Sequence, residues 1–274
     1  MKTSPNCKIN LGLRVLRKRT DGYHDLATVF LPVPLCDELE IERMEVVDDD
    51  PGAVFFTQSG IEVDCPLEDN ICVKAYRLLR NDFDRIPSVK MHLTKNIPFG
   101  AGLGGGSSDA AFVLKMLNEM FGLQLSSAEL KRYAARLGAD CAFFIDNEPS
   151  YATGIGDQLT PLGFDPLEGY KLVLAKPADA VSTREAYAGI RIDPMAACGP
   201  GLPELLRRPV DTWRDTVVND FETTVFPRHP AIAELKSRLY AQGARYAAMS
   251  GSGATVFGIF EKDAEVHVDG MLIG

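Results

Sequence analysis

The chain has 274 residues, 46% of them hydrophobic and 24% charged, with a formal net charge of −9 at pH 7. That length suffices for one large or two ordinary domains with ample core. The acidic balance disfavours nucleic acid and anionic membrane as partners, so any phosphate site must concentrate its positive field locally. No apolar run of 18 residues appears, the start Lys2-Thr-Ser-Pro-Asn-Cys7 has no apolar h-region, and Cys7, Cys36, Cys65, Cys72, Cys141 and Cys198 are scattered without a Cys-x-x-Cys pair. These features predict a soluble cytoplasmic protein with buried thiols.

Residues 7–17 alternate, with Ile9, Leu11, Leu13 and Val15 on one face and Asn10, Gly12 and Arg14 on the other, which predicts a half-buried strand. A turn around Asp21-Gly22 follows. Further strands are predicted at Asp37–Met44, Val54–Thr57, Ile61–Val63 and Val89–Leu93, with Asp48-Asp-Asp-Pro-Gly52 an exposed acidic turn. Helices are predicted over Asn70–Phe83 and Ser107–Phe121, and Ser126-Ser-Ala-Glu129 is a capping box for a third that stops at Gly138. The apolar run Leu172–Ala175 reads as a strand buried on both faces, helices near 212–225 and 230–242 follow, and Val256–Phe260 is another buried strand. Glycines and prolines gather at 152–169, which predicts a division into domains 1–155 and 156–274.

The richest segment is Pro98-Phe-Gly-Ala-Gly-Leu-Gly-Gly-Gly-Ser-Ser-Asp109, running into the apolar-periodic Ala110, Ala111, Val113, Leu114, Leu117 and Met120. It predicts a loop opening onto a helix, with Ser107, Ser108 or Asp109 as cap and Gly122 as stop. Glycines admit backbone amides close to an anion, and a helix N-terminus adds open N–H donors and partial positive charge. A polyphosphate cradle is the expectation. It is not a Walker A loop, since no lysine precedes the serine pair. A plain glycine linker seldom abuts an amphipathic helix.

Three smaller groupings accompany it. Lys8 and Asn10 stand two apart on the polar face of the first strand, Asp140 follows a helix end in Leu137-Gly-Ala-Asp140, and Met249-Ser-Gly-Ser-Gly-Ala-Thr255 is a second glycine-serine loop, expected between a helix and a strand. His92, His229 and His267 show no partners and read as structural or surface residues.

In this order, Lys8-Ile-Asn-Leu11, Pro98–Ser108 and Met249–Thr255 resemble the motifs of the GHMP kinase superfamily over nearly the whole chain. The resemblance implies an α+β, two-domain architecture, with a ribosomal S5 domain 2-like N-terminal domain and a ferredoxin-like C-terminal domain. Arg19-Thr-Asp-Gly-Tyr-His24, Leu137–Asp140 and Asn219-Asp-Phe-Glu222 resemble the branch that phosphorylates 4-diphosphocytidyl-2-C-methyl-D-erythritol with ATP, in the non-mevalonate route to isoprenoid precursors. ATP and Mg²⁺ are the implied cofactors, and that small molecule the implied partner.

Within this resemblance the phosphates fall to Pro98, Phe99, Gly100, Ala101, Gly102, Leu103, Gly104, Gly105, Gly106, Ser107 and Ser108, with either serine open to Mg²⁺, and the adenine to Asn70 and Lys95. No carboxylate stands out as a metal ligand, and Asp109 fits a helix cap or a metal better than a phosphate. Asp140 is the implied proton acceptor and Lys8 the charge that keeps it ionised and steadies the alkoxide. Asn10 would bind the erythritol end, while Tyr23, His24 and Tyr187 would hold the cytosine. Asp21-Gly-Tyr-His24 tells against a homoserine or mevalonate kinase, and the presence of both Lys8 and Asp140 against a catalytically inactive relative.

Overall fold

The computed structural model describes residues 1–44, 52–193 and 199–273. The acidic turn expected at Asp48–Gly52, save Gly52, and Cys198 lie outside the described residues. In chain order the strands are β1 (Lys2–Thr3), β2 (Asn6–Lys18), β3 (His24–Cys36), β4 (Glu38–Arg43), β5 (Val54–Gly60), β6 (Val89–Lys95), β7 (Ser150–Thr153), β8 (Gln158–Pro161), β9 (Tyr170–Ala175), β10 (Tyr246–Met249), β11 (Val256–Glu261) and β12 (Met271–Ile273). The helices are α1 (Ile71–Asp82), α2 (Gly105–Met120), α3 (Ser127–Ala135), α4 (Phe143–Asp146), α5 (Thr183–Tyr187), α6 (Leu202–Leu205), α7 (Glu222–Val225) and α8 (Pro230–Ala241).

The fold is α+β and forms two compact units. The first comprises residues 1–7, 32–99 and 104–148, the second 8–31, 100–103 and 149–274. A single cut at 155 therefore differs from the packing, although the last crossing, between Glu148 and Pro149, lies close to it. The reason is strand pairing. In the sheet ordered β2-β3-β7-β8, Thr28 on β3 faces Ala152 on β7, so the early hairpin joins the later chain. Local composition carries no trace of such a pairing.

The first unit holds a sheet ordered β1-β4-β6-β5, antiparallel except for the parallel β5–β6 pair. Helices α1 and α2 pack on each other, and α2 buries Ala110, Ala111, Val113, Leu114 and Leu117. Asn70 caps α1, its Oδ1 accepting from the N–H of Cys72 at 2.9 Å. The Ser126–Glu129 capping box opens α3 as expected. β5 runs on to Gly60, and the strand expected at Ile61–Val63 is irregular chain. Gly60 turns the chain at φ +79°, where β5 ends and its alternation stops.

The second unit contains the antiparallel sheet β10-β11-β9-β12 with α8 against β10 and β11. Val173, Ala175, Ile232, Leu235, Leu239 and Phe260 share its core. The helix expected over 212–225 is mostly absent: a 3₁₀ turn at Val210–Thr212 and the four-residue α7 flank a turn at 214–217 and a lone bridge from Asn219 to Leu13. There the N–H of Leu13 donates to Val218 O at 2.8 Å and the N–H of Asp220 to Leu13 O at 2.8 Å. Pairing with β2 occupies the backbone groups that a helix would need. The glycine-serine loop 250–255 joins β10 to β11, two strands rather than a helix and a strand, because residues 246–249 pair with 256–259.

Candidate active site

The polar face of β2 is buried, not solvated: Lys8 and Asn10 are each 3% exposed. The Lys8 ammonium donates to Asn10 Oδ1 at 2.6 Å and to Gly102 O at 3.4 Å, and lies 4.8 Å from the Phe30 ring centre. Asn10 Nδ2 donates to Thr28 Oγ1 at 2.9 Å, and the Thr28 hydroxyl donates in turn to Gly12 O at 2.6 Å. A buried ammonium is held only where it is well bonded, and this relay fixes Lys8 in one orientation.

Within the second unit, Gly102 and the late glycine-serine loop meet this face. Ser250 Oγ donates to Gly102 O at 2.9 Å and accepts from the N–H of Asn10 at 3.2 Å. Asn219 braces the late loop, its Nδ2 donating to Met249 O at 2.7 Å and Gly251 O at 2.8 Å. The sequence marked Asn219 by resemblance alone; its structural task, satisfying two loop carbonyls at once, has no local signature.

In the first unit, α2 begins at Gly105 with Gly104 as its left-handed N-cap at φ +69°. This corrects the expected serine or aspartate cap, since Ser107, Ser108 and Asp109 all fall inside the helix. No side chain caps α2. The N–H groups of its first turn therefore lack intrahelical partners and carry the positive end of the helix dipole. A Cβ on Gly106 would meet nothing nearer than Ile71 Cγ2 at 3.8 Å, so the turn is open on that side. Ser107 is half-buried, whereas Ser108 is buried with its Oγ unbonded.

Asp109 neither caps the helix nor faces outward. It is buried in an ion cluster in which the Lys95 ammonium bonds Asp37 and, at 2.8 Å, Asp109 Oδ2. Asp37 also accepts from the N–H groups of Asn96 at 2.6 Å and Ile97 at 2.8 Å. Burial and the neighbouring Asp37 charge outweigh Lys95 and push the Asp109 carboxyl up to about 7. The Lys95 ammonium in turn is held above its ordinary range by the two carboxylates, against the effect of burial.

A cavity of about 520 Å³ lies in the first unit, lined by Phe56, Ser59, Gly60, Cys65, Leu67 and Asn70 among others. Asn70 thus combines capping with a place on the cavity wall, while Lys95 is turned into the ion cluster. The other wall residues were missed by the sequence reading. The sequence signal available was the apolar Phe56, Val63 and Leu67 set in a polar stretch, and the structure leaves Leu67 exposed and Phe56 and Val63 half-buried.

Asp140 is half-buried in the turn between α3 and α4, where its carbonyl accepts from the N–H of Phe143 at 3.2 Å. The adjacent Cys141 thiol is buried and pushed up to about 12, with Ser107 as hydrogen-bond partner. Among the described residues, no group of three or more His, Cys, Asp or Glu side chains could hold a metal ion.

At the tip of the β2–β3 hairpin, Tyr23 is 61% exposed, and its N–H donates to Asp21 Oδ1 at 3.0 Å. His24 stacks on Tyr187, ring centres 4.6 Å apart and planes 19° from parallel. Burial, reinforced by Lys18, holds the His24 imidazole below its usual range and so neutral at pH 7, with one nitrogen donating and the other accepting. Two of the other histidines have partners after all. His229 bonds Asp179 and Glu185, and His92 bonds Thr57 at 2.8 Å and Ser59 at 3.0 Å. Sequence separation hid both.

Residues 70–148 match the pattern of the GHMP kinases N terminal domain and residues 202–268 that of the GHMP kinases C terminal domain. The chain is 51% identical over 266 residues, 97% of its length and 94% of the relative's, to the 4-diphosphocytidyl-2-C-methyl-D-erythritol kinase of Bacteroides fragilis. It is also 51% identical over 263 residues, 96% of this chain and 93% of the other, to the kinase of that name from Bacteroides thetaiotaomicron. A crystal structure of 4-(cytidine 5′-diphospho)-2C-methyl-D-erythritol kinase superposes with a TM-score of 0.79 at 33% identity, covering 94% of this chain and 90% of the other. A homoserine kinase from Cytophaga hutchinsonii shares the fold at 15% identity, with a TM-score of 0.67 over 94% of this chain and 85% of its own.

Proposed function

The chain belongs to the GHMP kinase family, and from that premise we propose that it phosphorylates the 2-hydroxyl of 4-diphosphocytidyl-2-C-methyl-D-erythritol with ATP, a step toward isoprenoid precursors. The observation that carries this reading is the identity of about half the residues, over nearly the whole length, with kinases bearing that name. Phosphoryl transfer asks a protein for positioning and charge neutralisation more than for covalent chemistry. The uncapped first turn of α2 and the glycine backbone before it suit the ATP phosphates, and the cavity beside Asn70 suits the adenine.

Mg²⁺ neutralises phosphate charge in such reactions, and it usually keeps waters and phosphate oxygens as its main ligands. The hydroxyls of Ser107 and Ser108, the latter unbonded, fit that sparse role, whereas Asp109 is committed to Lys95. Asp140 accepts or orients the proton of the attacking 2-hydroxyl. Lys8 balances negative charge on that oxygen, and Asn10, through which Lys8 is held, faces the erythritol. Tyr23 offers its exposed ring, neutral His24 a hydrogen-bonding edge and Tyr187 a second aromatic face to the cytosine.

Among the described residues no helix is long and apolar enough to cross a membrane, and Cys7, Cys36, Cys65, Cys72 and Cys141 are free thiols. Free thiols suit a reducing cytoplasm.

A coupled assay of ADP release tests the reading. The cytidylyl substrate is expected to be turned over, while homoserine, mevalonate, galactose and methylerythritol phosphate lacking its cytidylyl group are not. Robust phosphorylation of any of those four overturns it. Tyr23→Ala should raise KM for the cytidylyl substrate by the equivalent of about 1–3 kcal/mol, the span of base–aromatic stacking, with KM for ATP little changed.

A further inference from the structure

Helix α5 is five residues long and carries Tyr187 at its C-terminal end. A helix this short does not hold itself in place, and its position must come from tertiary contacts. Several converge on it from the chain around α7 and α8. Thr224 Oγ1 donates to Ala186 O at 2.6 Å, and the Arg228 guanidinium donates to Glu185 O at 3.3 Å and Ala188 O at 3.2 Å. His229 is bonded on both ring nitrogens, Nδ1 to Asp179 Oδ1 and Nε2 to Glu185 Oε1, each at 3.0 Å. Asp179 lies on the chain entering α5, and Glu185 is two residues before Tyr187.

We propose that His229 is a positioning residue for acceptor binding: bridging Asp179 and Glu185, it clamps α5 and so holds the Tyr187 ring against His24. This deepens the reading above and rests on it for the identity of the acceptor. The chemistry of the bridge is specific. Only the imidazolium has a donor on each nitrogen; a neutral ring turns a lone pair toward one of the carboxylates.

The charged neighbours are few. Beyond the two carboxylates, Arg228 adjoins in sequence with its guanidinium on main-chain carbonyls, and the Lys176 ammonium bonds Pro177 O and Asp179 O, each at 2.9 Å. The first turn of α8, which His229 precedes, contains no acidic residue. Hydrogen bonds to Asp179 and then Glu185 raise the His229 imidazole above its ordinary range. A raised base is charged below its folded-state value and loses its proton above it. The clamp is therefore closed at lower pH and loosens as pH climbs through the His229 titration.

The test compares wild type, His229→Gln, Tyr187→Ala and the double variant, each checked by thermal melting. Amide exchange of residues 183–188, corrected for intrinsic rates, reads the clamp without any ligand. Protection should fall with rising pH in wild type and be low and flat in His229→Gln. Kinetics read its consequence: His229→Gln should raise KM for the cytidylyl substrate about 2- to 10-fold, the span of one hydrogen bond, leaving KM for ATP unchanged. The double variant should be no worse in KM than Tyr187→Ala, because His229 acts through Tyr187. Unchanged exchange in His229→Gln, or multiplied KM effects in the double variant, overturns the proposal. If wild type does not turn over the cytidylyl substrate, the acceptor assignment fails, and the exchange profile still decides whether the clamp exists.

Discussion

Replacing Gly102 by alanine probes the join between the glycine loop and Lys8. Gly102 sits at φ +75°, and a Cβ there would come within 2.0 Å of Ser250 O and 3.2 Å of Gly253 N. Non-bonded atoms rest near ~3.5 Å, and the offending oxygen is backbone that cannot rotate aside. A left-handed alanine costs about 1–2 kcal/mol, and relieving the overlap by backbone movement roughly 1–3 kcal/mol more.

Gly100 provides the control. Its φ is +62°, and a Cβ would meet nothing within 4 Å, so Gly100→Ala carries only the conformational cost. At about 2–4 °C per kcal/mol for a chain of this size, Gly102→Ala should melt roughly 2–12 °C below Gly100→Ala. Activity should follow: the Gly102 carbonyl accepts from Lys8 and Ser250, so its displacement loosens the ammonium and lowers kcat. Calorimetric melting of both variants, with kcat measured below the transition, checks the reasoning. Equal melting temperatures for the two would refute it.

Asp140→Asn should lower kcat on the order of 10²–10⁴-fold with ATP affinity retained, and combining it with Lys8→Ala should add little if the two act as a unit; near-normal turnover by Asp140→Asn would remove it from the mechanism. Asp109, raised to about 7, binds its proton more tightly when folded than when unfolded. Stability should thus decline as pH rises from about 4 through 7, by at most ~1.4 kcal/mol per pH unit. Asp109→Asn should flatten that slope in urea melts, and an unaltered slope would place the titration elsewhere. Asn70→Ala should cost about 1 kcal/mol through the lost cap of α1, and isothermal calorimetry should show weakened ATP binding; unchanged affinity would dissociate the cavity beside Asn70 from the nucleotide.

Sequence by itself determined the features that depend on neighbours along the chain. The Ser126–Glu129 capping box, the Asn70 helix start and the buried Val256–Phe260 strand follow from spacing and residue type, which act within a few residues. The glycine loop opening onto α2 was legible for the same reason, since a glycine run disfavours helix and the apolar period begins directly behind it. Motif order carried the family, and the roles proposed for Lys8, Asp140, Tyr23 and His24 rest on that resemblance.

Tertiary structure decided what depends on groups far apart in sequence. The seating of Lys8 against Gly102, the commitment of Lys95 to Asp37 and Asp109, the bracing of the late loop by Asn219 and the bridge made by His229 each join groups 14 to 94 residues apart. The same holds for the lost helix before α7, where pairing of residues 218–220 with Leu13 overrides local preference. A propensity is worth fractions of a kcal/mol per residue, while an unpaired buried amide or charge costs several times that, so distant partners prevailed wherever the two disagreed.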